Sequence, residues 1–421
     1  MATYLLLNLN PCQPYPPTSP LPPTLHNQSH DITIATMEID NDVPTILATL
    51  RMEADPELAA TFYSLEDLWE RKLWHQLTDA LAELYADPRS KPLRLRIFTQ
   101  FIQVFERNLN QLKLVIFGVL AAAQCNNDEE TLGFLTSLAD KVSHKPDTQD
   151  AYVYAQIEIA RVKLRLKDMD GAREVLNSVT GTIDSLNSVD PIITAAYYGV
   201  NADYYLSKGD FNTYYRNALL YLACIDLSTL SVEAVQKRAH ELSVAALLGE
   251  KIHNFGELLL HPVLDSLKNT EYAWLRDLLF ALNQGDISEF EKLTSQHVSK
   301  LPPLEAAMPL LRQKICLTAL TEAAFKRPTN DRTLTFAAVA KETQLPADEI
   351  EHLVMKALSL ELIKGHIDQV AQTITITWLQ PRVLNKQQIA DMKQRLDQWD
   401  ANVKQLGGWI HDRGEGVWLE A

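Results

Sequence analysis

Cysteine is scarce in this 421-residue chain: Cys12, Cys125, Cys224 and Cys316 stand far apart, with no CxxC pair. That spacing indicates neither a zinc ribbon nor a disulfide framework and fits a reducing compartment. Long apolar runs are missing too. The longest, Leu114 to Ala123, falls well short of the roughly 20 residues a bilayer span requires and reads as a buried helix. The opening MATYLLLNLN has no basic residue before its short apolar run, which argues against a secretory signal. Positive charge is in deficit: 39 Lys and Arg face 54 Asp and Glu, for a net charge of -15. Such a balance repels phosphate backbones and anionic membranes, so neither nucleic acid nor membrane is expected as a partner.

Catalytic motifs are also lacking. There is no GxxxxGK[ST] loop, no GxGxxG after a strand and no GxSxG elbow. HELSV at His240 begins like a zinc-protease motif but lacks the second histidine. His253 and His261, and His352 and His366, do not form a ligand set. The expectation is a protein with no catalytic residue, metal, cofactor or small-molecule substrate.

The residues that are present fall into blocks. Residues 1–36 are dense in Pro, Ser and Thr and are expected to be a disordered leader, with Met37 an alternative start. Residues 43–325 read as a helical-repeat solenoid. In DAYVYAQIEIARVKLRL the apolar Tyr152, Ala155, Ile159, Val162 and Leu166 step by three and four, marking one buried helix face. Polar turns near Asn127, Gly171, Gly209, His253 and Gly285 recur at about 30 to 45 residues, the spacing of helix hairpins. Tyr197, Tyr198, Tyr204, Tyr205, Tyr214, Tyr215 and Tyr221 read as wedges between helix layers rather than a ligand wall. Pro262 should end one helix and open the next, with His261 at the helix end.

Residues 326–384 have the grammar of a winged helix. RTLTF predicts a strand, AAVAKET a helix, QLPADE a turn with Asp348 placed to help cap a second helix, and EIEHLVMKALSL that second helix. IKGHID and TITITW predict two strands. The second helix and its exit carry Asp348, Glu349, Glu351 and Glu361 against Lys356, a face that would repel DNA. Strand edges of such a unit can instead pair with another protein, which makes Ile374, Ile376 and Trp378 candidate partner-binding residues.

In residues 385–406, Ile389, Leu396 and Val403 are seven apart, and Met392, Trp399 and Leu406 form the complementary series. This a/d seam is expected to stop at Gly407 and Gly408, leaving 407–421 as a tail. Six apolar side chains at about 1.5 to 3 kcal/mol each are too much to leave in water. The helix either folds back on its own chain or joins helices of other chains, and its narrow stripe favours a bundle of several helices.

A mainly α chain of helical repeats, winged helix and terminal helix resembles PCI-domain proteins, the scaffolds of the proteasome lid, the COP9 signalosome and a translation initiation complex. The wording of KLWHQLT (Lys72 to Thr78), NFGELLLHPVLDSLKNT (Asn254 to Thr270), EIEHLVMKALSLELIKGHIDQV (Glu349 to Val370) and TWLQPRVL (Thr377 to Leu384) is similar to the PCI subunits of the proteasome regulatory-particle lid. The likeness runs from about Val43 to Leu406. It implies a right-handed, TPR-like solenoid and a non-catalytic scaffold for lid assembly in ubiquitin-dependent degradation. It further implies a place in a hetero-oligomer with other PCI and metalloprotease-fold lid subunits, in cytoplasm and nucleus. A signalosome or initiation-factor PCI scaffold, or a winged-helix nucleic-acid binder, is the alternative.

Overall fold

The computed structural model describes residues 43–125, 127–143, 148–186, 189–327, 332–381 and 386–418. The Pro-rich leader and the Met37 start lie outside them.

The chain opens with α1 (Val43–Glu53), α2 (Ala59–Glu70) and α3 (Trp74–Ala86). A passage of 3-10 and π turns around the short α4 (Arg94–Arg96) leads to α5 (Gln111–Ala122). This irregular stretch holds together because it is aromatic: Trp69 meets Trp74 and Phe105 edge-on, each at 5.4 Å between ring centres. Leu114 to Ala122 lie in α5 as a buried helix, as their apolar run predicts.

Regular hairpins come next: α6 (Asp128–Ser143), α7 (Gln149–Arg165), α8 (Met169–Ser185), α9 (Pro191–Lys208), α10 (Phe211–Cys224) and α11 (Val232–Leu248). The turns are made by a recurrent device. Gly209 ends α9 at φ 79° and the Asp210 carboxylate then caps α10 by accepting the Thr213 N–H. Gly285 and Asp286 repeat the pair between α13 (Ala273–Gln284, φ 71° at Gly285) and α14 (Ile287–His297). A left-handed residue stops one helix and a side-chain acceptor starts the next.

α7 departs from its expected form by burying two faces, not one. Ala155, Ile159 and Val162 pack into the N-terminal core, while Val153, Ile157 and Ala160 pack with Leu176 and Val200. It is a middle-layer helix, covered on both sides, so its sequence shows no clean polar face. Its end is shallower than the spacing predicts, with Tyr152 half-buried and Leu166 exposed. The tyrosines do wedge between layers. Tyr204, Tyr214 and Tyr215 are buried, and the Tyr197 hydroxyl lies 2.7 Å from Thr180 Oγ1.

Beyond α12 (Gly256–Leu260), Pro262 opens a 3-10 turn whose first N–H, on Val263, is accepted by His261 Nδ1. α15 (Pro302–Ala306) then leads into α16 (Met308–Lys326). α16 belongs to two cores. Leu311 and Ile315 pack among the repeat helices, whereas Leu317, Leu320 and Ala324 pack under the carboxyl-terminal sheet unit.

That unit runs β1 (Thr333–Thr335), α17 (Phe336–Thr343), α18 (Ala347–Ser359), β2 (Ile363–Asp368) and β3 (Thr373–Leu379). The sheet is antiparallel with order β1-β3-β2. α18 buries Ile350, Leu353, Val354 and Ala357 against it, the face its periodicity predicts. Asp348 does not cap α18: it sits inside the first turn, after Pro346 at the cap position. The last element among the described residues is α19 (Lys386–Trp418).

Candidate protein interface

Two surfaces carry the residues singled out from sequence, and the structure treats them differently. In the sheet unit, Ile374 and Ile376 are not on an edge. β3 is the central strand, and the two isoleucines are 1% and 3% exposed in the core beneath α18. The Ile376 N–H donates to Arg332 O at 3.0 Å. Alternation with threonine marks a strand with one buried face, but it does not say where in the sheet that strand lies. The Ile374 and Ile376 side chains therefore belong to the core and not to a partner-binding surface. Trp378, at the end of β3 where the core thins, is 39% exposed with the Lys364 ammonium 5.0 Å from its ring centre.

The sheet has two edges, β1 and β2, and the longer is β2. Its partner is β3, and among the described residues no other strand pairs with it. Lys364, His366 and Asp368 lie along it, all three exposed, a polar dressing that discourages indiscriminate pairing at an edge. Beside it, α18 presents Asp348, Glu349, Met355, Lys356 and Ser359 towards solvent. The face is acidic, with Lys356 its single lysine or arginine. A groove of about 1290 Å³ runs between α10, the loop before α12 and the α18–β2 junction. Tyr215, 8% exposed, lines it with a buried hydroxyl that no group among the described residues satisfies; burial raises that phenol, and the Glu257 carboxylate adds to the rise.

α19 is the second surface. Ile389, Met392, Leu396, Trp399, Val403 and Leu406 are between 46% and 66% exposed. They form a continuous apolar stripe that nothing among the described residues covers. The stripe is longer than the sequence reading allows. α19 does not stop at Gly407 and Gly408 but passes through both, adding Trp409 and Ile410 at 54% and 46% exposure. A glycine ends a helix by adopting positive φ, and among the described residues the glycines that do so are Gly209 and Gly285. The seven-residue series 389, 396, 403, 410 is itself the signal that the helix continues.

Among the described residues no group of three or more His, Cys, Asp or Glu side chains is placed to hold a metal ion, and no helix is long and apolar enough to cross a membrane.

Comparison with known proteins finds three consecutive matches along the chain. Residues 61–279 match the family described as PSD13 N-terminal repeats, 288–378 the PCI domain, and 382–414 the Rpn9 C-terminal helix. The probable 26S proteasome regulatory subunit rpn9 of Schizosaccharomyces pombe is 46% identical over 87% of this chain and 95% of its own length. The 26S proteasome regulatory subunit RPN9 of Saccharomyces cerevisiae is 40% identical over 90% and 99%. Eukaryotic translation initiation factor 3 subunit M of Chaetomium globosum is similar at 22% identity over 59% of this chain and 58% of its own. With identity this high over nearly the whole of both chains, and all three blocks in order, the chain belongs to the Rpn9 family of 26S proteasome regulatory subunits.

Proposed function

We propose that this chain is a non-catalytic scaffold subunit of the 26S proteasome regulatory-particle lid, acting in lid assembly and so in ubiquitin-dependent degradation. It works in cytoplasm and nucleus, with PCI subunits and metalloprotease-fold subunits of the lid as its partners. Support comes from family membership and from one observation above the rest: a 33-residue helix whose apolar stripe is uncovered. Leaving eight large apolar side chains half-exposed is costly at about 25 cal/mol per Å², and a bundle with helices of neighbouring subunits removes that cost. The β2 edge adds a second contact through backbone pairing, which depends little on side-chain identity. Trp378 lies close enough to take part.

A PCI scaffold of a translation initiation complex is the second reading, favoured by the initiation-factor relative but over a smaller share of the chain and at lower identity. A nucleic-acid role is opposed by the acidic outer face of α18, where a helix reading DNA needs a basic surplus.

Replacing the endogenous protein with a Leu396→Asp, Trp399→Asp variant tests the proposal. Those residues are exposed on α19, away from the cores of the chain, so the isolated variant should stay helical by circular dichroism and melt cooperatively. Affinity purification with mass spectrometry should then find the parent with lid subunits and the variant without them. Normal incorporation of a folded variant would remove the helix from the interface.

A further inference from the structure

We propose that in the free chain the α19 seam pairs with the same seam of a second copy, parallel and in register, so that the subunit is stored as a homodimer. This rests on the reading of the seam as an interface and adds who occupies it before assembly.

Three features select this occupant. The first is the extent of the seam: Ile389 to Ile410 covers three full heptads, about 32 Å of helix, within reach of a stable coiled pair. The second is the choice of residues. Ile389, Leu396, Val403 and Ile410 fall at a, and Met392, Trp399 and Leu406 at d. Three of the four a residues are β-branched and Leu406 supplies a leucine at d, the combination that favours two strands in a parallel coiled coil.

Charge complementarity is the third. In a parallel pair each g residue faces the e residue five positions on in the other helix. Arg395 occupies g and Asp400 the next e, so the two-fold axis generates two Arg395–Asp400 pairs. Asp400 lies 2.7 Å from Lys404 of its own helix, with both side chains exposed, and can take the second cation without desolvation. In an antiparallel pair g faces g and e faces e, so Arg395 would meet Asn402 while Lys393 took Asp400. The two orientations thus differ in which cation Asp400 serves across the seam. Self-pairing of the β-branched a residues occurs in the parallel pair, where a meets a, and a charge swap between Arg395 and Asp400 tells the two orientations apart.

Sedimentation of the purified full-length chain alone, across the micromolar range, reads the outcome. A reversible dimer is expected, with Leu396→Asp monomeric. Arg395→Asp sets like charges opposite each other and should weaken the dimer about three- to tenfold; adding Asp400→Arg restores opposite signs and should return the affinity. A parent that stays monomeric, or forms larger species, overturns the proposal. So does a dimer indifferent to Arg395→Asp, or one the double swap fails to restore. A monomeric parent whose seam variants still fail to enter the lid would sink self-pairing and leave the lid reading intact.

Discussion

Lys314 shows how much a single residue can hide from a sequence. It falls between Leu311 and Ile315 on the apolar side of α16 and is fully buried. Its ammonium donates to Ala246 O and Leu247 O, both at 2.9 Å, taking up carbonyls that the last turn of α11 leaves free. Burial pushes its pKa from 10.5 down to about 7, with the Glu250 carboxylate opposing. Between about pH 7 and 10.5 the unfolded chain therefore holds a proton that the folded chain does not, and by linkage the fold gains stability as pH rises through that window. Lys314→Met removes this pH dependence together with the cost of burying the lysine at pH 7, and strands two carbonyls at about 1 to 3 kcal/mol each. Urea unfolding at pH 7 and pH 9 should show parent stability rising between the two and the variant's rise smaller. Equal rises would clear Lys314 as the source. His253, lowered from 6.5 to about 4 chiefly by burial and then by Lys314, acts with the same sign in a lower window.

At the scale of elements, most of the architecture is legible in the sequence, and the reasons for the misses are physical. Helix hairpins announce themselves through Gly-Asp turns. Strand, helix, helix and hairpin can be read in order from 333 to 379 because the apolar period changes there. Two things cannot be read so directly. Strand order in a sheet is a long-range property, so β3 passes for an edge when it is the middle. The Gly407-Gly408 pair looks like a helix end because an interior glycine costs about 1 kcal/mol relative to alanine, yet the seam periodicity continues to Ile410. The position of β3 makes its own prediction. Ile376→Pro removes the donor to Arg332 O and distorts a strand hydrogen-bonded on both sides. It should destabilise the sheet unit by about 3 kcal/mol or more, seen as a lower urea midpoint of the isolated protein. A folded Ile376→Pro protein of unchanged midpoint would contradict the central placement.

For the whole molecule, the question is whether the repeat helices and the sheet unit are separate bodies or one. α16 answers through packing: its buried apolar residues divide between the two cores along one unbroken helix. The α13–α14 turn is pressed against it so closely that a Cβ at Gly285 would come within 2.8 Å of Ala319 Cα. Unfolding the sheet unit alone would expose Leu317 and Leu320 on a helix whose other half must stay in place, and so would cost apolar burial with little gain in chain entropy. We expect the two regions to open together. Hydrogen exchange read by mass spectrometry should give amides of α13 and β3 matching opening free energies, and Leu317→Ala, at about 2 to 4 kcal/mol, should lower both equally. Protection lost from β3 while α13 keeps its own would mean that the carboxyl-terminal unit swings independently, and that neighbours meet it as a separate module.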